Sequence, residues 1–226
     1  MQLSVVFSLK IVLPLSIMNN DIDIISKYFK LTELQTRQFE QLGELYPEWN
    51  SKINVISRKD IDNLYVNHIL HSLAIAKFIN PVAGTRILDM GTGGGFPGIP
   101  LAIMWKDCQF HLIDRIGKKI KVAEDIANSL SLTNVTFQHG DIGECRDKYD
   151  FVVSRAVMRL DELVPLIKKN ISNVSVNGYP NGLICLKGGD LASEMHNIKY
   201  PIIEEPLIKY FSEPFFETKK LVYVQI

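Results

Sequence analysis

The 226-residue sequence lacks an excess of charge of either sign, because its 25 lysine and arginine residues balance its 25 aspartate and glutamate residues. It therefore has no basic composition of the kind that marks a nucleic-acid-binding protein, although a balanced total still permits one basic face. Cysteine is also scarce: Cys108, Cys145 and Cys185 are widely spaced, and none belongs to a CxxC pair. This pattern argues against a disulfide framework or a metal site and favours buried thiols in a reducing compartment.

A clear signal peptide or membrane span is missing as well. Residues 2–17, QLSVVFSLKIVLPLSI, resemble the apolar region of a signal peptide, but Lys10 and Pro14 interrupt them. No charged region precedes this run and no small-residue cleavage site follows it, and it is too short to span a bilayer comfortably. We therefore expect a cytoplasmic protein without membrane association, in which residues 1–17 are an extension from an upstream start codon.

What is present is the composition of an ordinary globular protein, with 46% apolar and 22% charged residues. The pattern predicts two units, a helical cap over residues 18–82 and a ligand-binding domain over residues 83–226. In the cap, Thr32 and Gln35 form a capping-box signature at the start of a helical run, and a further helix is expected over Ile61–Phe78.

Short β-branched apolar runs alternate with amphipathic helical stretches after Thr85. This alternation is typical of βαβ units, so we expect an α/β fold with a parallel sheet covered by helices on both faces. Two runs near the end of the chain, PIIEEPLIKYF and KKLVYVQI, suit a terminal antiparallel pair. The expected parallel strands are Arg86–Met90, Gln109–Asp114, Asn134–Gln138, Tyr149–Ser154 and Gly182–Lys187, and helices are expected over Lys118–Leu130 and Leu160–Asn170.

The segment ILDMGTGGGFPGIP, residues 87–100, places Gly91, Gly93, Gly94 and Gly95 directly after the first expected strand. Glycine tolerates positive φ and lets backbone amides approach a ligand, at a cost of roughly 0.5–1 kcal/mol each relative to alanine in regular structure. A turn with only a structural role needs one or two glycines. Since ligands of open α/β sheets lie beyond the carboxyl ends of the strands, this turn predicts a ligand site.

Two ligand classes compete for this turn. The GxGxxG spacing from Gly93 fits nicotinamide dinucleotides, and Asp114 ends the next strand, where it can accept hydrogen bonds from a ribose or cap a helix. The carboxylate of Asp89 and the missing amide of Pro97 both disfavour a pyrophosphate. S-adenosylmethionine has no phosphate and carries cationic amino and sulfonium groups, so an acidic neighbour suits it better. A Walker A loop is excluded, because no Gly-Lys-Ser/Thr closes the turn.

Three further strand ends contribute to the expected site. After the third strand, HGDIGE (139–144) offers a backbone amide or Asp141 to the amino edge of an adenine, with Ile142 beside the ring. The fourth and fifth strands end at Arg155 and Lys187, next to the crevice. Other cations are candidates for a basic rim that positions phosphates, although each alone is more simply a solvated charge: Lys118, Lys119, Lys121, Arg159, Lys168 and Lys169.

Six motifs occur in one order along the chain: WNSKINVIS (49–57), HILHSL (68–73), ILDMGTGGGFPGIPLAI (87–103), LIDRIGKKIKV (112–122), VVSRAV (152–157) and LKGG (186–189). Over residues 31–226 this arrangement resembles the RsmG (GidB) family, which methylates N7 of a guanine in the 530 loop of bacterial 16S rRNA. The resemblance implies a class I methyltransferase, with a Rossmann-like, mostly parallel seven-stranded sheet, an N-terminal helical cap and S-adenosylmethionine as cofactor. Its implied partner is 16S rRNA, within the small ribosomal subunit or its precursor. We expect a monomer.

The resemblance also implies site residues. By motif, cofactor contacts fall on Gly91, Phe96, Ile142, Gly143 and Arg155, with Asp89 and Asp114 as motif acids and Gly93 and Gly95 in the same glycine turn. Asn54 and His68 belong to the face near substrate and cofactor. Two positions depart from the family pattern, since His71 stands where aspartate is common and Lys219 where arginine often begins the C-terminal strand. Both departures bear on rRNA contacts.

No catalytic side chain and no metal are expected, because guanine N7 has an in-plane lone pair and no proton to remove. The enzyme has to align N7 with the methyl–sulfonium bond, and proximity contributes roughly 7–11 kcal/mol. Arg155, Lys187 and His68 are candidate substrate contacts, with His68 expected to be packed or hydrogen-bonded rather than a base. The guanine has to be splayed from its loop to be reached.

Two alternatives stay open at this point. One is an NAD-dependent oxidoreductase on the same sheet, which Asp89 and Pro97 oppose. The other is a catalytically inactive RNA- or ribosome-binding protein that keeps the fold. Cofactor binding separates the first alternative from a methyltransferase, and methyl incorporation into rRNA separates the second.

Overall fold

The helices before the sheet follow from the local sequence. A computed structural model describes residues 19–155 and 157–226, so the expected extension over residues 1–17 lies outside the described residues. Helix α1 spans Asn19–Ser26 and helix α2 spans Glu33–Lys52. The predicted capping box at the start of α2 is confirmed. The backbone amide of Gln35 donates to Thr32 Oγ1 at 3.3 Å, and the backbone amide of Thr32 donates to the side-chain Oε1 of Gln35 at 2.9 Å.

The segment predicted as one helix over Ile61–Phe78 is helical but irregular. It begins as a 3₁₀ turn, widens to a π-helix over Leu64–Leu70 and continues as helix α3 over His71–Phe78. The predicted helix over Ile61–Phe78 is confirmed in its bounds, and the structure adds that its first part is 3₁₀ and π-helical. A π-helical turn is rare and is frequently found at a functional site. The π-helix carries His68, whose ring bonds to groups from two other segments.

Seven strands of the described chain form one sheet. They are β1 (Arg86–Met90), β2 (Gln109–Asp114), β3 (Val135–His139), β4 (Phe151–Arg155), β5 (Gly182–Gly188), β6 (Ile202–Pro206) and β7 (Lys219–Gln225). Their order is β3-β2-β1-β4-β5-β7-β6. The first five strands are parallel, and β7 is antiparallel to both β5 and β6. The predicted sheet, with its terminal antiparallel pair, is confirmed.

Helices connect the parallel strands and cover both faces of the sheet. They are α4 (Gly98–Met104) after β1, α5 (Gly117–Ser129) after β2, α6 (Leu160–Ile167) after β4 and α7 (Ala192–Met195) after β5. The strand order reverses at β1, which pairs with β2 on one side and β4 on the other. This is the topological switch point where open α/β sheets bind ligands. Among the described helices, none is long and apolar enough to cross a membrane.

Two apolar clusters lie on opposite faces of the sheet. Side chains alternate along a strand, so Ile87 packs with the N-terminal helices while Leu88 packs with α6 and α7. The first cluster joins Leu42 and Leu73 of the N-terminal helices to the sheet. Residues on both sides of the predicted boundary at 82/83 therefore contribute to one hydrophobic core.

Candidate functional site

A cavity of about 570 Å³ lies at the carboxyl ends of β1, β2 and β4, within the size range of small-molecule sites. It coincides with the switch point of the sheet. Of the residues predicted to bind the cofactor, Gly91, Gly93, Phe96, Asp114, Ile142 and Arg155 line it, whereas Asp89, Gly95 and Gly143 do not. The wall also contains Val55, Arg115, Ile116, Lys119, Asp141, Val157 and Met158.

The turn after β1 needs glycine at two positions for different reasons. Gly91 has a φ of +72°, and a Cβ there would lie 2.5 Å from Cγ2 of Val157 at the cavity. Gly95 has a φ of +106°, and a Cβ there would lie 2.5 Å from Cδ1 of Ile99 in α4. A larger residue at either position combines a rarely adopted backbone conformation with a steric clash. Gly91 thus keeps the ligand side open, and Gly95 permits close packing behind it.

Asp89 supports this turn from the buried side. Its Oδ2 accepts hydrogen bonds from Thr92 Oγ1 at 2.6 Å and from the Gly98 amide at 2.8 Å, while Oδ1 has no partner among the described residues. Burial raises the pKa of Asp89 to about 7, although both hydrogen bonds oppose the rise. The carboxyl group therefore points into the glycine turn. Because the side chain is fully buried, it influences a ligand through the shape of the turn.

Asp114 joins the ends of β1 and β2. Its Oδ2 accepts a hydrogen bond from the Gly93 amide at 2.8 Å, and its Oδ1 accepts one from the Ile116 amide at 2.8 Å. The alternative role as the N-cap of α5 is not observed, since Ile116 occupies that position without a side-chain bond. Each carboxylate oxygen has two lone pairs. Asp114 therefore retains acceptor capacity for ribose hydroxyls while it fixes the glycine turn.

The turn after β3 supplies an apolar side chain and backbone. Ile142 is buried and lines the cavity, together with Asp141 and Gly140. Gly143 is exposed and does not line the cavity, and its backbone amide donates to Asp141 Oδ1 at 2.7 Å. One oxygen of Asp141 is thus occupied by its own turn. The turn therefore offers backbone groups, the Ile142 side chain and the second oxygen of Asp141 to an adenine.

Phe96 and Arg155 connect the cavity to the N-terminal helices. The Phe96 ring stacks on Tyr46 of α2 with centroids 4.5 Å apart, and the guanidinium carbon of Arg155 lies 4.8 Å from the centroid of Phe96. Tyr46 also donates a hydrogen bond to the Gly94 carbonyl at 2.9 Å. Burial lowers the pKa of Arg155 to about 10. The guanidinium therefore remains cationic at neutral pH.

His68 does not line the cavity, but it bonds to the arginine that does. Arg155 Nη2 donates to His68 Nδ1 at 3.1 Å, and His68 Nε2 lies 2.6 Å from Asp60 Oδ2. Since a guanidinium only donates, Nδ1 is the acceptor and Nε2 carries the proton that Asp60 accepts. Burial and the nearby Arg155 lower the pKa of His68 to about 4, although Asp60 opposes the shift. The ring is neutral, and its expected hydrogen-bonding role is confirmed.

Lys187 is engaged in an internal ion pair. Its side chain is 9% exposed, and Nζ lies 2.8 Å from Glu194 Oε2 and 2.5 Å from the Met158 carbonyl oxygen. Glu194 Oε2 also accepts a hydrogen bond from the Leu160 amide at 2.9 Å, at the start of α6. These bonds tie β5 to α6 and α7. They favour a structural role for Lys187 over the predicted substrate contact.

The predicted basic rim divides into engaged and open side chains. Four members have partners: Lys121 with Asp125, Arg159 with Asp161, Lys168 with the Tyr200 ring, and Lys169 with the Gly143 carbonyl. Lys119 lines the cavity and Lys118 is exposed beside it in sequence. Arg115 also lines the cavity with a 77% exposed side chain, 3.9 Å from Asp141. The open cations thus cluster around the first turn of α5.

Sequence reasoning missed Tyr46, Asp60 and Arg115 as site residues. The helical pattern accounts for Tyr46 as a buried position and says nothing of its hydroxyl. Asp60 lies in an irregular segment before the π-helix. Its separation of only eight residues from His68 is the one sequence feature that suggests the two side chains could meet. Arg115 directly follows Asp114 in the motif LIDRIGKKIKV, and this position next to a predicted cofactor residue could have identified it as a site residue.

Comparison with known proteins connects this site to a family. A family profile described as rRNA small subunit methyltransferase G (GidB) matches residues 35–218. The Bacteroides thetaiotaomicron protein named "Ribosomal RNA small subunit methyltransferase G" is 57% identical over 205 residues, which are 90% of this chain and 100% of that protein. A protein of the same name from Phocaeicola vulgatus is 58% identical over 205 residues, 90% of this chain and 98% of that protein. The chain belongs to the GidB family.

Solved structures show the same fold at low sequence identity. A methyltransferase from Aquifex aeolicus, described as S-adenosylmethionine-dependent, matches with a TM-score of 0.53 and 15% identity, over 76% of this chain and 100% of that one. The precorrin-6y C5,15-methyltransferase from Geobacter metallireducens matches with a TM-score of 0.51 and 10% identity, over 77% and 92% of the two chains. The predicted class I methyltransferase fold is confirmed. The oxidoreductase alternative is not favoured.

The cavity fits the cofactor of a GidB family methyltransferase. Asp114 offers carboxylate oxygens at the cavity wall, which suit ribose hydroxyls. Arg155 offers a cation for the carboxylate of S-adenosylmethionine, and the bare backbone at Gly91 leaves room for close approach. With its family and its fold, the chain is an S-adenosylmethionine-dependent methyltransferase with rRNA as its substrate class.

Proposed function

We propose that the protein transfers a methyl group from S-adenosylmethionine to N7 of a guanine in the 530 loop of bacterial 16S rRNA. The observation that carries the proposal is the composition of the cavity: Gly91, Asp114 and Arg155 share its wall, and the exposed Arg115 lies at its edge. Family membership supports rRNA as the substrate. The resemblance to RsmG proteins supports the choice of N7 and of the 530 loop.

The residues of this chain position the reactants and transfer no proton. When bound, S-adenosylmethionine supplies an electrophilic methyl group on a sulfonium sulfur. Guanine N7 already holds an in-plane lone pair, so no side chain has to act as a base. The site agrees with this requirement, since the neutral His68 has both ring nitrogens engaged and lies outside the cavity wall. Holding the reacting atoms in line contributes roughly 7–11 kcal/mol.

The charge that develops on guanine during methyl transfer determines which ligand group Arg155 can contact. Positive charge develops on the purine as its N7 gains the methyl group, so a guanidinium beside N7 would raise the barrier. We therefore assign Arg155 to the carboxylate of the cofactor and Asp114 to its ribose. The buried carboxylate of Asp89 lies on the same side of the sheet as Arg155 and favours the charged form of that arginine.

The edge of the cavity suits a nucleotide splayed from a loop. Ile116 is 42% exposed and lines the cavity, which gives an apolar surface to a base. Arg115 lines the cavity next to it, and Lys118 is exposed two residues further along the chain. Both are available to phosphates, whose contacts position an RNA without reading its sequence. The zero net charge of the chain suits a substrate met as a ribonucleoprotein. We propose the small ribosomal subunit or its precursor as that substrate, bound by a monomer in the cytoplasm.

Methyl transfer in vitro tests the proposal. The purified protein is incubated with radiolabelled S-adenosylmethionine and small ribosomal subunits from cells that lack this gene. We expect incorporation at N7 of one guanine in the 530 loop, and less incorporation into stripped 16S rRNA. Gly91→Arg serves as the variant without cofactor binding. Intact cofactor binding with no incorporation into either substrate would contradict the proposal and favour an inactive RNA-binding protein.

A further inference from the structure

Asp60, His68 and Arg155 form a chain of hydrogen bonds that joins the segment before the π-helix to the end of β4. The His68 ring accepts from Arg155 Nη2 at 3.1 Å and donates to Asp60 Oδ2 at 2.6 Å. Asn67 extends the chain, because its side-chain amide donates to Asp60 Oδ1 at 2.6 Å and its carbonyl accepts from Arg155 Nη1 at 3.4 Å. Both oxygens of Asp60 and both ring nitrogens of His68 are therefore engaged.

We propose that Asp60 and His68 are positioning residues that hold Arg155 in place for the carboxylate of S-adenosylmethionine. The inference rests on the proposed function for the role of Arg155 at the cofactor. Neither Asp60 nor His68 lines the cavity, so each acts through Arg155.

The surroundings of Arg155 show why it needs to be held. An arginine side chain loses conformational entropy when it is fixed in one rotamer. If this loss occurs only when the ligand binds, it reduces the affinity. Here the guanidinium packs against Phe96, and the His68 ring packs against the same phenylalanine with centroids 5.3 Å apart. The arginine is thus fixed by a ring on one side and by acceptors on another before a ligand arrives.

Asp60 determines that His68 presents an acceptor and not a donor. A carboxylate at Nε2 selects the tautomer with the proton on Nε2, which leaves the Nδ1 lone pair for Arg155. The opposite tautomer, or a protonated ring, would direct an N–H against the donors of the guanidinium. A phenyl or alkyl side chain at position 68 would fill the space without an acceptor.

A series at position 68 separates positioning from packing. Asparagine places an oxygen near the position of Nδ1, so His68→Asn keeps an acceptor for Arg155. Glutamine extends to the position of Nε2, so His68→Gln keeps the bond to Asp60 and loses that acceptor, and His68→Leu loses both. We expect Kd for S-adenosylmethionine to rise about tenfold or more in His68→Gln and His68→Leu, but only about threefold in His68→Asn. Isothermal titration measures Kd, and thermal unfolding measures the accompanying change in Tm.

His196→Asn is the matched control, because His196 is exposed after α7 and the same substitution there should change neither Kd nor Tm. The proposal is overturned if the three variants at position 68 keep the wild-type Kd, even where KM for small ribosomal subunits rises. It is also overturned if Kd rises in proportion to the loss of Tm in all three variants and His68→Asn binds S-adenosylmethionine no better than the other two. The titrations contain no RNA, so failure of wild-type methyl transfer with normal cofactor binding would reject the proposed rRNA target, while the titrations would still decide the role of His68 at the cofactor.

Discussion

The Tyr46 hydroxyl donates a hydrogen bond to the carbonyl of Gly94 at 2.9 Å and so ties α2 to the glycine turn across 48 residues of sequence. The Tyr46 ring stacks on Phe96 of the same turn. The sheet alone therefore does not complete the cofactor site. Its glycine turn takes its shape from the N-terminal helices as well as from Asp89 and Asp114.

Tyr46→Phe removes this hydrogen bond and keeps the stacked ring. We expect Kd for S-adenosylmethionine to rise severalfold and the free energy of unfolding to fall by about 1 kcal/mol, because a buried carbonyl loses its donor. Isothermal titration and urea unfolding measure the two effects. Tyr65→Phe is the control, since its buried hydroxyl donates to the Phe39 carbonyl at 2.9 Å away from the cavity. Equal changes of Kd in the two variants would contradict this role of Tyr46.

Gly91→Ala should abolish most cofactor binding, whereas Gly84→Ala should not. Both glycines have positive φ, +72° and +83°, so each alanine meets backbone strain of roughly 1–2 kcal/mol. At Gly91 the added Cβ also clashes with Val157, whereas no atom of the described residues lies within 4 Å of a Cβ at Gly84. We expect the larger loss of stability in Gly91→Ala, where the clash adds to the strain, and a Kd for S-adenosylmethionine at least tenfold higher in that variant alone. A Gly91→Ala protein with wild-type Kd would refute the steric argument.

From the raised pKa of Asp89 we predict that its contribution to the free energy of unfolding declines as the pH rises. Its pKa is raised from 3.8 to about 7 in the folded protein, so the native state holds this proton more tightly than the unfolded state does. The stabilisation is fully present below pH ~4 and is lost towards pH ~7, at up to about 1.4 kcal/mol per pH unit. Asp89→Asn keeps an acceptor for Thr92 and Gly98 and does not titrate.

Urea unfolding from pH ~4 to pH ~7 measures this effect as the difference in free energy between wild type and Asp89→Asn. The pKa of His68 is lowered to about 4, so its stabilisation is lost as the pH falls, but that contribution is present in both proteins and cancels. We expect the wild type to lose stability relative to the variant as the pH rises. A difference that is constant or of opposite slope would contradict the raised pKa.

Arg115→Gln and Lys118→Gln should each raise KM for small ribosomal subunits about threefold and make it less dependent on salt, since each removes one candidate phosphate contact. Lys121→Gln, on the same helix as Lys118, is the matched control, because Lys121 is paired with Asp125 at 2.7 Å and does not line the cavity. Methyl-transfer kinetics at several salt concentrations give the comparison. If Lys121→Gln changes KM as much as the other two, the rim has no special role at the first turn of α5.

The sheet and the glycine turn are predictable because short sequence patterns encode them. Alternating strand and helix periods locate β1 and β2 with the predicted bounds, Arg86–Met90 and Gln109–Asp114. The cluster of glycines after β1 marks a ligand site through backbone geometry alone. Position at a strand end likewise identifies Asp114 and Arg155 before any three-dimensional information is available.

The partners of these residues are not predictable in the same way, because they come from distant segments. His68 lies 87 residues before Arg155, and only the packing of the π-helix against the sheet brings them together. Lys187 ends a central strand as expected, but Glu194 in α7 engages its charge. Asp89 is fully buried and does not line the cavity, and its place near the end of β1 does not reveal either property.

The most direct test of the account is a map of 7-methylguanine in 16S rRNA from cells with and without this gene. Chemical cleavage at 7-methylguanine, or mass spectrometry of nuclease fragments, locates the modified base. We predict one modified guanine in the 530 loop of the parent strain, its absence in the deletion strain, and its return with the wild-type gene but not with Gly91→Arg. An unchanged methylation map in the deletion strain would contradict the account.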